Sequence, residues 1–212
     1  LAKIKNFVKF NCSKGVGKME EIIIGGQKVV PLYSQKEIQE RVRELGDKIF
    51  KAYEKEITGK EKLVVVLILR GAIFFGTDLY RILEEKFFKK HLFENLELDT
   101  LAISTYGNST QPGEVKILKD LNRSVQGKNI LVVEDIVDTG ETLKRVQEFL
   151  MAKKPRSIKI AALIDKTPRR KKEVQIDFVG FSLSEPLWVV GYGLDYKEAG
   201  RGLPFIGALH PI

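Results

Sequence analysis

Asn129-Ile130-Leu131-Val132-Val133-Glu134-Asp135-Ile136-Val137-Asp138-Thr139-Gly140-Glu141-Thr142 is the stretch on which the fold is read. Residues 130–133 are an unbroken apolar run, as expected for a strand covered on both faces in a parallel sheet. Glu134 and Asp135 are expected to close that strand. Beyond Gly140, Leu143, Val146, Phe149 and Leu150 recur on one side of a helix, which puts Asp138-Thr139-Gly140 at a helix N-terminus. The N–H groups of a first helical turn lack partners and carry partial positive charge, so a phosphate is a natural occupant of that loop. Thr139 and Thr142 add hydroxyls, and Gly140 permits close backbone approach. A plainer reading stands beside this one: Asp138 as N-cap, Glu141 in the first turn and Gly140 as a turn residue would suit any strand-to-helix joint. That reading leaves Glu134 and Asp135 unexplained. Two acids at the carboxyl end of a buried strand face the crevice where open α/β sheets bind ligands. Carboxylates there repel a phosphate unless ribose hydroxyls or a divalent cation intervene. The pattern implies a phosphorylated sugar.

Working outward, residues 64–69 form a second continuous apolar strand, which ends in Arg70-Gly71 and leads into a helix from about 73 to 88. Arg70 therefore falls on the same edge as Glu134 and Asp135, although on spacing alone it is a solvated loop charge. Upstream, residues 22–30 read as a hairpin turning at two glycines. Ser34 with Glu37 makes a capping box, and Ile38, Val42, Leu45, Ile49 and Tyr53 carry a helical pattern toward Gly59. Downstream, residues 96–105 and 115–118 read as strands around a turn-rich stretch from Tyr106 to Gly113, either a mobile loop or a plain surface hairpin. Residues 157–166 form another strand with Lys166 at its end, by default a solvated lysine. Residues 174–181 and 187–191 are two further short strands around Pro186, and the default for Trp188 is partial burial in a core.

A chain of 212 residues is expected to form a single compact domain. Its hydrophobic content of 43% and charged content of 30% suit a globular protein, and no apolar run approaches the ~20 residues of a membrane span. Cys12 is the single cysteine, which excludes an internal disulfide and multi-cysteine metal sites and fits a reducing cytoplasm. His91 and His210 are the only histidines, and neither HExxH nor a Walker A string occurs. The net charge of +8 owes five charges to Lys3, Lys5, Lys9, Lys14 and Lys18, leaving +3 for the rest. A basic arm of this kind is compatible with nucleic acid. The expectation preferred here is that the native domain begins at Met19 and that residues 1–18 are an extension outside it.

The string Val133-Glu134-Asp135-Ile136-Val137-Asp138-Thr139-Gly140-Glu141-Thr142 resembles the phosphoribosyl-pyrophosphate (PRPP) signature of the type I phosphoribosyltransferases, in the variant carried by hypoxanthine-guanine phosphoribosyltransferases. The resemblance spans residues 19–212. It implies an α/β fold, a mainly parallel twisted sheet flanked by helices, with a small hood from the N- and C-terminal segments that holds the base. It further implies purine salvage in the cytoplasm by a homodimer or homotetramer, in which Mg2+-PRPP gives its 5-phosphoribosyl group to hypoxanthine or guanine, yielding IMP or GMP and pyrophosphate.

Carried over residue by residue, Glu134, Asp135, Asp138, Thr139, Gly140, Glu141 and Thr142 match the ribose- and phosphate-binding positions, and Asp138 is also the candidate general base. Arg70, Gly71 and Arg201 match pyrophosphate-binding positions. Lys166 matches the lysine that binds the exocyclic oxygen of a 6-oxopurine, Trp188 an aromatic that stacks on the base, and Val189 a residue whose backbone reads the base edge. Thr105-Tyr106 match a flexible lid that shields the reacting centre, and Glu134, Asp135 and Asp195 are the candidate magnesium ligands. Ala199-Gly200 departs from the bulkier residues of the family pattern. Two alternatives stay beside this reading. One is a nucleic-acid-binding regulator on the same fold, supported by the basic arm and disfavoured by retention of the matched catalytic positions. The other is a phosphoribosyltransferase for xanthine, adenine or a pyrimidine; Lys166 and Trp188-Val189 disfavour the last two.

Overall fold

In the computed structural model, which describes residues 21–106 and 114–211, a glycine turn folds Ile23–Ile24 (β1) back onto Gln27–Tyr33 (β2). Gln35–Tyr53 (α1) follows, opened by the expected capping box: the Ser34 N–H and hydroxyl donate to Glu37 at 2.8 and 2.6 Å, and the Glu37 N–H donates back to the Ser34 hydroxyl at 3.2 Å. Next come Leu63–Leu69 (β3), Ile73–Lys89 (α2), Leu96–Tyr106 (β4) and Glu114–Lys119 (β5). Asn129–Val137 (β6), Glu141–Met151 (α3), Ser157–Lys166 (β7) and Phe178–Leu183 (β8) complete the central part. Val189–Val190 (β9) and Ile206–Pro211 (β10) end the chain.

The described residues fall into two compact units, one within residues 41–186 and a smaller one made of residues 21–40 with residues 187–211. The larger unit is built on a sheet of order β5-β4-β3-β6-β7-β8, parallel throughout except for β5, which runs antiparallel to β4. Its central strands are apolar because both of their faces are covered. Val64, Val66 and Ile68 of β3 pack with Ile130 and Val132 of β6, Ile160 and Ala162 of β7, and Leu143, Val146 and Leu150 of α3. On the other face, α2 buries Phe75, Leu79, Leu83 and Phe87, and Leu67 lies directly over Gly76. Gly46 of α1 lets Ile82 of α2 come equally close.

From β3 the chain steps to β4 and β5 on one side, whereas β6, β7 and β8 lie on the other. The strand order therefore reverses between β3 and β6, and the carboxyl ends of these two strands bound the crevice where such sheets take ligands. The smaller unit is an antiparallel sheet of order β1-β2-β10-β9 around Val29, Val190, Phe205 and Leu209.

Four elements differ from expectation. β6 does not close at Glu134 and Asp135 but pairs onward, Ile136 with Ile164 and Val137 with Asp165. α1 stops at Tyr53, short of Gly59. β8 starts at Phe178, because Asp177 holds the chain first: its N–H donates to the Ile160 carbonyl at 3.0 Å and its carboxylate accepts the Ile160 N–H at 2.8 Å. β10 was not anticipated as a distinct strand. Among the described residues no helix is long and apolar enough to cross a membrane.

Gly76 is where α2 meets β3, and a Cβ there would overlap the Leu67 side chain. Gly76→Ala gains up to ~1 kcal/mol of helix propensity and meets an overpacking cost of about 1–3 kcal/mol. A net loss of stability is expected, measured by urea denaturation with an unchanged m-value.

Candidate active site

At the crevice, Arg70-Gly71 follows β3 directly, the Leu69–Arg70 peptide is cis, and Gly71 lies against the Asp135 carboxylate so closely that a Cβ would overlap it. The topology thus brings Gly71 and Asp135 together, as the shared strand ends require. Because β6 runs on past its acids, Glu134 lies inside the sheet, opposite Ala162 and only 8% exposed. Burial, and then the charge of the neighbouring Asp135, hold the Glu134 carboxyl well above the usual carboxylate range. The Asp135 carboxylate accepts the Ile136 N–H at 2.9 Å.

After β6 the chain turns through Asp138 and Thr139. The residue that caps α3 is Gly140, in the left-handed region at φ +80°, with no side-chain cap bond. This removes the reading of Asp138 as N-cap. Gly140 has a double constraint: its φ, and the Lys172 carbonyl, which occupies the place a Cβ would take. The room at Gly140 thus serves the protein's own chain on that side. The Thr139 hydroxyl accepts the Glu141 N–H at 3.3 Å and faces the Glu141 carboxylate at 3.4 Å, and the same carboxylate pairs with Lys171 at 3.7 Å. Thr142 sits in the first turn of α3.

Asp138 instead faces cations. Its Oδ2 lies 3.4 Å from the Lys166 ammonium and 3.4 Å from the Arg169 guanidinium. Its Oδ1 is buried without a hydrogen-bond partner. Lys166 is 4% exposed, so the solvated reading of this lysine fails. Its neighbour Asp165 pairs with Arg170, whose guanidinium also donates to the Asp138 and Val137 carbonyls at 3.0 and 3.1 Å. Sequence reasoning gave Arg169, Arg170, Lys171 and Lys172 no role. Four cations in a row beginning three residues beyond Lys166, within reach of Asp138, Glu141 and Asp165, were the available signal. Thr105 and Tyr106 end β4, opposite Val115 and Glu114. The rest of the expected lid, residues 107–113, lies outside the described residues, as does the extension at 1–18.

In the smaller unit, Trp188 is 51% exposed and is not a core residue. Its indole meets the Tyr196 ring edge-on at a centroid distance of 5.7 Å. Val189 is buried in the edge strand β9. Because the Leu209 N–H donates to the Trp188 carbonyl at 2.8 Å, Val189 and Ala208 form a non-hydrogen-bonded pair, and the peptide groups of Val189 point to the open edge. Asp195 and Arg201, expected as magnesium and pyrophosphate ligands, bind each other at 2.6 Å. Arg201 also donates to the Gly193 carbonyl at 2.7 Å, while its Nε is buried without a partner. The Asp195 carboxylate accepts the Glu198 N–H at 2.8 Å. At the departure from the family pattern, Tyr196 and Ala199 exchange backbone hydrogen bonds of 3.0 Å, closing a tight turn.

A sequence model described as "Phosphoribosyl transferase domain" matches residues 33–197. The chain is 44% identical over 181 residues to the hypoxanthine-guanine phosphoribosyltransferase of Bacillus subtilis (strain 168), covering 85% of this chain and 92% of that one. It belongs to the hypoxanthine-guanine phosphoribosyltransferase family. A second relative, the bifunctional protein TilS/HprT of Listeria monocytogenes, is 42% identical over 200 residues; these are 94% of this chain and 28% of that longer protein. The crystal structure of a hypoxanthine phosphoribosyltransferase from Staphylococcus aureus superposes with a TM-score of 0.72 at 38% identity, over 85% of this chain and 91% of that one.

The family implies magnesium, and the donor chemistry fits it. Glu134, Asp135 and Asp195 offer hard carboxylate oxygens, and the like-charged Glu134–Asp135 pair is one that a divalent cation would relieve. Among the described residues no three His, Cys, Asp or Glu side chains converge.

The Glu134 proton has a measurable sign. A carboxyl raised above its unfolded value lends stability that is full below the unfolded value and is lost as pH rises through the folded one. Glu134→Gln lacks this loss. Its melting temperature relative to the unaltered protein is expected to rise as pH increases above the ordinary carboxylate range; a pH-independent difference would contradict the assignment.

Proposed function

We propose that this chain transfers the 5-phosphoribosyl group of Mg-PRPP to hypoxanthine or guanine, releasing pyrophosphate and forming the nucleoside monophosphate for purine salvage. The observation that carries the mechanism is Asp138: Lys166 and Arg169 hold one carboxylate oxygen, and the other is buried with no partner. A buried acceptor without a donor costs about 1–3 kcal/mol. A purine ring N–H would satisfy it and, as the opposite ring nitrogen attacks the ribose carbon, pass it the proton.

The remaining roles follow from where the groups lie. Glu134 and Asp135, at the end of β6, suit ribose hydroxyls, which donate to carboxylates without adding negative charge. The Asp135 charge also favours cationic character at the ribose carbon as pyrophosphate departs. The loop at Thr139-Gly140-Glu141-Thr142 offers N–H groups at the start of α3 to the 5′-phosphate. Arg70 and Gly71 suit the pyrophosphate. Magnesium, when bound with PRPP, supplies the positive charge against which pyrophosphate leaves. Arg201 and Asp195 neutralise each other, so a phosphate reaching Arg201 and a cation reaching Asp195 would each replace an existing partner and expose no bare charge. The exposed indole of Trp188 and the edge peptide groups of Val189 support stacking on a base and reading it. The buried Lys166 ammonium has only donors to offer, which an oxo group accepts and an amino group does not.

Two substitutions test these assignments. Asp138→Asn keeps size and shape but cannot take a proton, so kcat per folded molecule should fall by about 10²–10⁴-fold while calorimetry still finds Mg-PRPP bound. Wild-type turnover would sink the role of Asp138. Lys166→Ala should erase much of the preference for hypoxanthine over adenine in a pyrophosphate-release assay over a panel of bases; an unchanged preference would place selectivity in other residues.

A further inference from the structure

The segment after β7 wraps the loop that follows β6. Arg170 Nη2 donates to the Val137 carbonyl at 3.1 Å and its Nε to the Asp138 carbonyl at 3.0 Å. The N–H groups of Lys171 and Lys172 both donate to the Thr139 carbonyl, at 2.9 and 3.0 Å. Three consecutive carbonyls are therefore turned toward one side and gripped there. The grip is anchored by the Asp165 carboxylate on Arg170 and fitted by Gly140, whose missing side chain leaves room for the Lys172 carbonyl.

A peptide unit is planar, and in its trans form the C=O of one residue and the N–H of the next point in opposite directions. The peptides in question are trans, since the one cis bond among the described residues is Leu69–Arg70. With the carbonyls of Val137, Asp138 and Thr139 fixed on the strap side, the N–H groups of Asp138, Thr139 and Gly140 are directed to the opposite side. Successive N–H groups aimed the same way make an anion-binding concavity.

We propose that Arg170 is a positioning residue for PRPP: from behind the loop it holds the carbonyls of Val137 and Asp138, and so aims the backbone N–H groups at the 5′-phosphate without touching the substrate. Three of its five N–H donors are committed to this task. Nε and both hydrogens of Nη2 serve the two carbonyls and Asp165. The requirement is for arginine, because only a planar fork meets three acceptors spread across two residues and an acid, whereas an ammonium is a point donor. Arg170 is 21% exposed and Asp165 is 20% exposed, so water competes weakly for these bonds.

The inference rests on the reading of the loop as the phosphate site, and the experiment separates the two. Mg-PRPP is titrated calorimetrically into the full chain, Arg170→Ala, Arg170→Lys and Asp165→Asn, and kcat with the KM of each substrate is measured in parallel. For Arg170→Ala the Kd and KM for PRPP are expected to rise by about 10-fold or more, the loss of charge-assisted hydrogen bonds, while the KM for hypoxanthine stays within about twofold. Arg170→Lys should restore little. Ethylguanidine added to Arg170→Ala should restore part of the PRPP affinity. PRPP affinity unchanged in Arg170→Ala overturns the proposal and leaves the phosphate site standing; no PRPP binding by the unaltered chain overturns the site itself. Parallel losses for both substrates, with no guanidine rescue, mark Arg170 as merely structural and also overturn the proposal. If Arg170→Ala does not fold, Asp165→Asn decides: a selective rise in PRPP KM of a few-fold is expected, and an unchanged value refutes the role.

Discussion

Everything functional in the larger unit depends on burying β3 and β6 side by side with both faces covered. Residues 63–68 and 130–133 are apolar at every position because helices lie over each face of the sheet. Once β4 is placed on one side of β3 and β6 on the other, the loops leaving these two strands diverge, and the gap between them is an unavoidable product of the strand order. Arg70 and Gly71 stand where β3 runs out of core, and Glu134 and Asp135 lie beside them near the carboxyl end of β6. Their cost is visible in Glu134, whose carboxyl burial holds well above the usual carboxylate range.

The ion pairs of the two units share a habit. Asp138 is held by Lys166 and Arg169, Asp165 by Arg170, Glu141 by Lys171, and in the smaller unit Asp195 by Arg201. Each of these four anions carries a cation of its own, which limits the unbalanced field among them. Ligand exchange then trades one ion pair for another, which is less costly than desolvating isolated groups.

Much of this was legible in the residues. The continuous apolar runs, the Ser34–Glu37 box and the acids at the end of β6 place the sheet, α1 and the crevice correctly, because each rests on local chemistry that tertiary context did not override. The errors have equally local causes. Charge at Glu134 and Asp135 was read as the end of a strand, although Ile136 and Val137 continue to pair with β7. Asp138 resembled an N-cap because the residue type suits one, but a left-handed Gly140 took that place. The default exposures of Lys166 and Trp188 do not hold: burial of a lysine depends on a partner from another element, and exposure of a tryptophan on what the edge of a small sheet leaves uncovered. The cationic run 169–172 carried no signal alone, since its partners are the loop carbonyls, which composition does not reveal.

The open edge of β9 has a consequence of a different kind. Val189 presents its peptide N–H and C=O outward while its side chain is buried with the small sheet. Whatever meets that edge is read by the path of the chain, and the identity of the side chain is settled separately by packing. Codon changes among residues of similar volume at position 189 would therefore be quiet with respect to hydrogen bonding. Natural variation there would record the shape of the core beneath it, while the backbone groups along the edge keep their places.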